Sequence, residues 1–323
     1  MKSKILKGLQ YIAFLLAGIV LLYFAFRGVD LNEMILQIRQ ADYRWVALSL
    51  IFAVMALIFR AIRWRLLIEP LDEYPKRINI FHAINIGYLS NFIFPRIGEI
   101  VRCGILNRTD RTPIDRLFGT VITERIFDML LSLFMLCLIL ILRFDVVSSF
   151  IMENIVQLII ERIKNVNIVL IIAIIAVFII SYILLRKRLS KIQKFKNLLQ
   201  GVVKGIKSIK HMRNFKLFIV MNFAIFGMYL LQTYVLFFAL DAASSLGFGD
   251  ALFVLVISAF ALILPIQGGI GAYHWIVSLG LTLLGLTREE GLIYATISHS
   301  ATSILFVLLG AISFLSVRIK KAL

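Results

Sequence analysis

Residues 78–102 read INIFHAINIGYLSNFIFPRIGEIVR, an apolar run that a proline interrupts and three charged side chains follow. The charged residues are Arg96, Glu99 and Arg102. An ionised side chain near the centre of a bilayer costs about 3 kcal/mol on insertion scales, so such residues usually face a hydrated cavity or one another. This stretch therefore predicts a charged site inside a membrane protein and not a plain anchor.

The composition of the whole chain indicates an integral membrane protein. Its 323 residues are 61% hydrophobic and only 16% charged, against about 25% charged residues in soluble domains. The net charge of +17 is concentrated beside apolar runs, where basic residues set membrane topology and contact anionic lipids. We therefore expect membrane lipids, anionic phospholipids among them, as partners, and no nucleic acid.

The other apolar runs are long enough to build a bundle of transmembrane helices. A helix needs about 20 residues to cross the hydrocarbon core. The first run is longer than a signal-peptide core and no cleavage pattern follows it, so we expect a retained span. The runs occupy residues 8–26, 46–59 (extendable to 68), 117–142, 165–185, 217–240, 251–287 and 291–317. The sequence therefore predicts an all-α, polytopic protein with a single membrane domain over residues 1–323.

The distribution of basic residues predicts the side of the membrane on which each connection lies. Residues 186–216 are rich in Lys and Arg and contain no Asp or Glu, so we expect a cytoplasmic connection there. The basic termini indicate the same side. Residues 27–44 and 143–164 mix both signs of charge and are expected outside. The chain is thus predicted to be a multi-pass protein of the inner or plasma membrane, with both termini in the cytoplasm.

Two apolar stretches, 78–106 and 251–287, do not fit this alternation as single spans. To keep their flanks on the assigned sides, each must enter and leave through one face, the first from the cytoplasm and the second from outside. We interpret both as broken, re-entrant helical hairpins that turn at Pro95 and at residues 265–271. Such pairs are typical of inverted-repeat transporters. The two halves of such a repeat would be residues 1–142 and 165–323.

The first break carries residues suited to an anion site. Pro95 fits the start of a helix, and Gly98 permits a close approach of two backbones. Free amide groups at a helix start, with the guanidinium groups of Arg96 and Arg102 nearby, favour a phosphate. Glu99 would orient an arginine or contact a cationic part of the substrate. The alternative is an amphipathic interfacial helix with a local ion pair between Glu99 and Arg102.

A second set of charges, Glu124, Arg125 and Asp128, lies inside the next apolar run. Glu124 and Asp128 are one helical turn apart and repel each other unless a basic group intervenes. We expect Arg125 or the hairpin arginines to supply that group. One interpretation is the acidic wall of a substrate cavity that includes Arg96 and Arg102. The other is a purely structural ion network that ties the hairpin to this span.

The second break contains Pro265, Gly268, Gly269 and Gly271, followed by His274. A tight, glycine-lined turn brings main-chain amides close to an anionic group, although glycines in membrane helices also serve close packing. His274 is either a hydrogen-bonded packing residue or a group that titrates during transport.

Two further basic segments have simpler interpretations. Arg60, Arg63, Trp64 and Arg65 are predicted to form an interfacial belt at the end of the second span. Residues 186–216 are predicted to include an amphipathic helix on anionic lipid, with binding of a soluble partner left open.

The motifs of common enzyme classes are missing from the sequence. It contains no nucleophile elbow, phosphate loop, paired-histidine zinc motif or sugar-nucleotide motif. Its two cysteines, Cys103 and Cys137, lie in or beside apolar runs without metal-binding spacing. We therefore expect no cofactor and no metal, and an enzyme is the less favoured interpretation.

Taken in order, these motifs resemble the lysylphosphatidylglycerol synthase transmembrane family, also called flippase-like or UPF0104-type proteins. The resemblance rests on Asn91-x3-Pro95-Arg96-x-Gly98-Glu99-x2-Arg102, on Glu124-Arg125-x2-Asp128, on Pro265-x2-Gly268-Gly269-x-Gly271, and on Arg60-x2-Arg63-Trp64. It implies a membrane domain associated with moving a lipid between leaflets. Bifunctional members add a soluble aminoacyl transferase, for which this chain has no long polar segment. Gln267 and His274 stand where many members have proline and glutamate.

The function predicted from these features is translocation of a phospholipid or another phosphate-bearing lipid across the cytoplasmic membrane. Movement would be downhill or coupled to an ion gradient, with Asp128, Glu124 or His274 as candidate proton carriers. The main alternative is a membrane enzyme, or an enzyme subunit, that modifies a lipid head group. A third is a receptor or scaffold whose charges are structural. The sequence leaves the lipid and the oligomeric state open, a homo-oligomer included.

Overall fold

The computed structural model describes residues 2–144, 212–264 and 266–322, together with positions 148 and 152. The predicted span at 165–185, most of the basic connection 186–216, and Pro265 lie outside the described residues. Within the described part, the chain forms helices and turns without any strand. The helices are α1 (Lys2–Phe26), α2 (Leu31–Gln40), α3 (Tyr43–Ile68), α4 (Arg77–Ile93), α5 (Gly98–Asp110), α6 (Ile114–Leu142), α7 (Phe215–Phe237), α8 (Phe248–Ile263), α9 (Ala272–Thr282) and α10 (Arg288–Ala322).

Four helices in the described part of the chain are long and apolar enough to cross a membrane, namely those containing α3, α6, α7 and α10. The apolar part of α1 and the following α2 together form a fifth candidate, bent by 87°. Large apolar side chains such as Ile51, Met129 and Ile304 are exposed on these helices, as expected where a helix faces acyl chains. The predicted all-α membrane bundle is confirmed.

The first predicted hairpin is an antiparallel pair of helices, α4 and α5. Phe94 is extended because the following proline disfavours the helical conformation, and α5 begins at Gly98. At the other end of the pair, the Asn79 Nδ2 group donates to Asp110 Oδ2 at 3.0 Å. Near the turn the two backbones touch, since a Cβ on Gly98 would collide with the carbonyl oxygen of Gly87.

The second predicted hairpin consists of α8 and α9. Late in α9, Gly280 packs against Phe253 and Ile257 of α8, so the two helices run antiparallel. The connection between them contains a short 3₁₀ turn, Gln267–Gly269. Gly268, with a φ of 60°, has a left-handed backbone that L side chains rarely adopt. An inverted repeat that relates this pair to α4 and α5 stays a prediction.

The two breaks lie against each other. The ring of Phe92, at the end of α4, covers Gly268 so closely that a methyl group there would collide with it. On the other side of the second break, α1 packs against Gly271 through Gly18 and Leu22. Helix α3 packs along α7, and α10 packs against both α4 and α9. This packing brings the polar faces of α3, α5 and α6 to a common centre.

Candidate functional site

Arg63 lies at the centre of a cluster of buried charges. Its side chain is 0% exposed. The Nη1 group donates to Asp128 Oδ1 at 2.6 Å and to Asn222 Oδ1 at 2.9 Å, and the Nη2 group donates to Glu124 Oε1 at 2.8 Å. Helices α3, α6 and α7 are therefore held together through one guanidinium group.

Arg60 lies one helical turn before Arg63 and faces the same carboxylates, because residues three apart share a helix face. Its Nη1 atom is 3.3 Å from Glu124 Oε1 and 3.5 Å from Asp128 Oδ2. The Nε group donates to the Tyr229 hydroxyl at 2.7 Å. Both arginines thus have acidic partners from α6 and polar partners from α7.

The predicted interfacial belt at the end of α3 is wrong for three of its four residues. Arg60, Arg63 and Trp64 are buried, and the Trp64 Nε1 group donates to Thr120 Oγ1 at 2.9 Å. Carboxylates from α6 offset the cost of burying the arginines, which the position of the residues along α3 does not reveal. Arg65 alone fits the belt, since it is partly exposed and pairs with Glu69.

Helix α6 supplies the acidic side of the cluster. Glu124 is fully buried, and three arginines from two other helices lie within 3.3 Å of its carboxylate oxygens. The expected repulsion between Glu124 and Asp128 is relieved chiefly by the arginines of α3. Arg125 also contributes, with its Nη1 atom 3.4 Å from Asp128 Oδ2. These contacts match the ion network that the sequence offered as one of two interpretations of the α6 charges.

Helix α5 supplies Glu99 and Arg102. The Arg102 Nη1 atom is 3.0 Å from Glu124 Oε2, and its guanidinium lies over the Trp64 ring, 4.6 Å from the ring centre. Glu99 pairs with Arg125 at 3.5 Å, so the local pair between Glu99 and Arg102 that the sequence also suggested is not the contact observed. Helix α5 of the hairpin is therefore joined to α6 by ion pairs and to α3 by the contact of Arg102 with Trp64.

Arg102 has unused hydrogen-bonding capacity. The residue is only 5% exposed, yet its Nε and Nη2 atoms have no hydrogen-bond partner among the described residues. The Oε2 atom of Glu99 is likewise buried without such a partner. Buried polar groups are nearly always satisfied, so these atoms mark a place where a polar ligand or water belongs.

We call the cluster the charge network and define it by seven ionised residues from α3, α5 and α6. It contains four arginines against three carboxylates, which leaves one net positive charge. The members are Arg60, Arg63, Glu99, Arg102, Glu124, Arg125 and Asp128.

A small cavity opens beside the charge network. Its volume is about 30 Å³, room for about two water molecules. The lining residues come from α3, α4, α5 and α6 and are Arg60, Ile84, Gly87, Tyr88, Asn91, Gly98, Glu99, Arg102 and Arg125. Asn91 also accepts a hydrogen bond from the Gly98 amide at 2.8 Å. This volume is small beside that of common ligand sites, which occupy about 300–1,000 Å³.

Of the residues predicted at the first break, two lie apart from this cavity. Pro95 and Arg96 occupy the turn between α4 and α5, and Arg96 is exposed with a left-handed φ of 62°. Neither belongs to the lining residues in the described part of the chain. Asn91, Gly98, Glu99, Arg102 and Arg125 do line the cavity, while Glu124 and Asp128 lie behind it as partners of the arginines.

The residues of the second break form a separate cluster. The carbonyl oxygen of Gly268 is 2.7 Å from His299 Nε2, and the Gly271 amide donates to His274 Nδ1 at 3.4 Å. The two histidine rings lie 5.0 Å apart. Gly269 also packs close to His299. No group of three or more potential metal ligands occurs in the described ranges, so this pair gives no support for a metal site.

Comparison with known proteins agrees with the motifs. Two curated relatives match parts of the chain. A UPF0104 membrane protein, MJ1595, from Methanocaldococcus jannaschii is 28% identical over 139 residues, which is 42% of this chain and 40% of the relative. Glycosyltransferase AglD from Haloferax volcanii is 28% identical over 130 residues, which is 40% of this chain and 21% of the relative. No solved structure matches.

The family match extends over nearly the whole chain. Residues 10–310 match the model of the lysylphosphatidylglycerol synthase TM region. This range includes every helix that contributes to the charge network and both breaks. The chain therefore belongs to the lysylphosphatidylglycerol synthase transmembrane-region family.

Proposed function

We propose that this membrane protein moves a phosphate-bearing lipid between the two leaflets, with the cavity beside the charge network as its head-group site. The family membership and the largely buried charge network inside an apolar bundle support this proposal. A polar head group crosses hydrocarbon only at a high cost in free energy. A charged cavity between helices replaces part of its hydration while the acyl chains stay in lipid.

The observation that carries the proposal is the unused hydrogen-bonding capacity of Arg102. Leaving a buried donor unsatisfied costs about 1–3 kcal/mol, and Arg102 presents two such donors, Nε and Nη2, beside the cavity. Phosphate oxygens accept such paired donors in a bidentate manner. The net positive charge of the network favours an anion further.

The small size of the cavity defines the motion that transport requires. Helix α5 is attached to α6 through the contacts of Arg102 with Glu124 and of Glu99 with Arg125. A phosphate on Arg102 Nε and Nη2 would share the charge of that guanidinium with Glu124, which pairs with Nη1. Binding would thus loosen the contact between the hairpin and α6, which widens the cavity as the head group enters.

A scrambling assay in liposomes tests the proposal. Fluorescent phosphatidylglycerol in both leaflets is bleached from outside with dithionite, so label in the inner leaflet is protected unless the protein moves it. We expect rapid bleaching of nearly all label with the native protein. Arg102→Lys keeps the charge beside Glu124 but loses the planar fork, so most of this activity should disappear.

The matched control is Arg108→Lys, which makes the same change at an exposed position of the same helix and should scramble like the native protein. If dithionite bleaches no more label in liposomes with the native protein than in empty liposomes, the transport proposal is excluded. Equal rates for Arg102→Lys and the control would exclude Arg102 as the head-group contact.

The proposal includes a topology. We place the protein in the inner or plasma membrane with both termini in the cytoplasm, supported by the basic residues at the termini and in residues 186–216. In this orientation Glu124 lies in the cytoplasmic half of α6, so the head group would enter from the cytoplasmic leaflet.

A second candidate function is a membrane subunit for an enzyme that modifies lipid head groups. The names of the family and of the relative called a glycosyltransferase favour it. Mass spectrometry of lipid extracts discriminates between the two. Under this alternative, Arg102→Lys in cells would deplete a head-group-modified lipid, and the purified native protein would not scramble.

A further inference from the structure

A groove separate from the cavity of the charge network combines exposed arginines with an apolar surface. It lies between the end of α1, helix α9 and the start of α10, and its volume is about 430 Å³. Ligand sites commonly have volumes of about 300–1,000 Å³. The groove shares no lining residue with the cavity of the charge network.

The walls of this groove are apolar and aromatic. The rings of Phe24 and Trp275 lie 5.9 Å apart, and both side chains are partly exposed. Leu279, one turn after Trp275, continues the same surface. Phe24 lies in the last turn of α1, and Trp275 lies in the first turn of α9, directly after the second break.

Two arginines lie at the rim of these walls. Arg27 and Arg288 are both exposed and both line the groove. The Arg288 Nη2 group donates to the carbonyl oxygens of Phe24 at 2.7 Å and Ala25 at 3.2 Å. These bonds hold its guanidinium at the end of α1, next to the groove. The lining contains these two arginines and no acidic residue, whereas Glu289 and Glu290 follow Arg288 in the first turn of α10 and lie outside the lining.

We infer that this groove binds an anionic phospholipid, with the phosphate between Arg27 and Arg288 and an acyl chain along Phe24, Trp275 and Leu279. A free phosphate would use the arginines and leave the aromatic wall in water, whereas a phospholipid matches both surfaces. The sequence predicts residues 27–44 outside, so the lipid would belong to the leaflet opposite the one that the charge network faces. This inference is independent of the transport proposal.

Quenching of tryptophan fluorescence by brominated lipids tests the site. The chain has three tryptophans, so the signal of Trp275 is obtained as the difference between the native protein and Trp275→Phe. The protein is placed in phosphatidylcholine nanodiscs that contain a minor fraction of chain-brominated phosphatidylglycerol, or the same fraction of chain-brominated phosphatidylcholine. We expect the anionic lipid to quench Trp275 more strongly.

Loss of the rim charges should remove this preference. Arginines near a membrane surface attract anionic lipid, so the double variant Arg27→Gln, Arg288→Gln should lower the selectivity about 30-fold. Arg39→Gln is the control, because it removes an exposed arginine from the neighbouring α2 without touching the groove. Arg288 also donates hydrogen bonds to the backbone of α1. If the double variant unfolds for this reason, the preference is measured in Arg27→Gln alone.

Three outcomes would overturn the inference. Equal quenching by the two brominated lipids in the native protein would show that the groove does not select an anionic lipid. An unchanged preference in Arg27→Gln and in a folded double variant would show that the arginines do not bind the phosphate. Equal loss of the preference in Arg27→Gln and in the control Arg39→Gln would show that it comes from the general surface charge and not from the groove. None of these outcomes depends on scrambling activity.

Discussion

At the scale of single residues, Arg63 is a fully buried member of the charge network that contacts both carboxylates of α6. It bonds two carboxylates and the Asn222 side chain at distances of 2.9 Å or less, with no exposure to solvent. A buried ion pair gives little net stability by itself, but removing one partner leaves the other charge uncompensated.

We predict that Arg63→Met lowers the stability of the protein by about 3–5 kcal/mol, because Glu124 and Asp128 lose their shortest partner. The control is Arg65→Met in the same helix, whose partly exposed pair with Glu69 should contribute less than about 1 kcal/mol. The fraction of protein that remains folded after heating in detergent measures both effects. Similar losses in the two variants would mean that the network does not stabilise the bundle.

The sequence predicted some residues of this site and missed others. Glu99, Arg102, Glu124, Arg125 and Asp128 were identified because a charge inside an apolar run is costly and needs partners. Their partners on α3 and α7 were not, because those helices are distant along the chain and no local pattern shows that they pack together.

One signal for the α3 arginines was present in the sequence. Arg60 and Arg63 have the spacing of residues on one helix face, and they belong to the segment that resembles the family. Their position near the end of the apolar run favoured the membrane interface. In the structure, this helix face is turned towards Glu124. Arg96, a charge next to a break, was expected in the cavity; the structure places it in the exposed turn between α4 and α5, and its role as a binding residue stays a prediction.

At the scale of elements, the hairpin of α4 and α5 determines where Glu99 and Arg102 lie. Its turn was predictable because Pro95 follows the apolar run of α4 and basic residues flank the pair at both ends. The contact between Gly87 and Gly98 sets the distance between the helices, and the Asn91 side chain caps the Gly98 amide. Gly98 is therefore needed for the close packing of α4 on α5, whereas Gly104, the other glycine of α5, is surrounded by open space.

We predict that Gly98→Ala destabilises the hairpin, because the added methyl group collides with the Gly87 carbonyl and the Asn91 amide. Such overpacking typically costs about 1–3 kcal/mol. In contrast, Gly104→Ala adds a methyl group in open space on the same helix and should be neutral or stabilising by up to about 1 kcal/mol. Thermal unfolding of the two variants in detergent measures the difference. Equal behaviour would contradict the close packing of α4 on α5.

Helix α2 is an element that the sequence did not predict, since residues 27–44 were interpreted only as an external connection. Asp30 caps this helix by accepting hydrogen bonds from the Asn32 and Glu33 amides. The cap is a recognisable helix start. Charge counting for topology uses only the basic and acidic residues of a loop, so it does not register such a signal.

At the scale of the whole molecule, the two breaks meet and the two candidate sites lie apart. Phe92 of the first break covers Gly268 of the second, and the cavity beside the charge network shares no lining residue with the groove between α1, α9 and α10. Hydropathy predicted both breaks from the interruption of apolar runs. It did not predict their contact, because that depends on side-chain packing across the whole chain.

The central claim is that Arg102 and its cavity receive the phosphate of a lipid. The most direct measurement is an electron cryo-microscopy map of the native protein in nanodiscs that contain phosphatidylglycerol, at a resolution that shows lipid head groups. We predict phosphate density within hydrogen-bonding distance of Arg102 Nε and Nη2, with α5 displaced from α6. A map that resolves lipid head groups elsewhere on the protein, with a closed cavity and water alone at these two atoms, would contradict the claim.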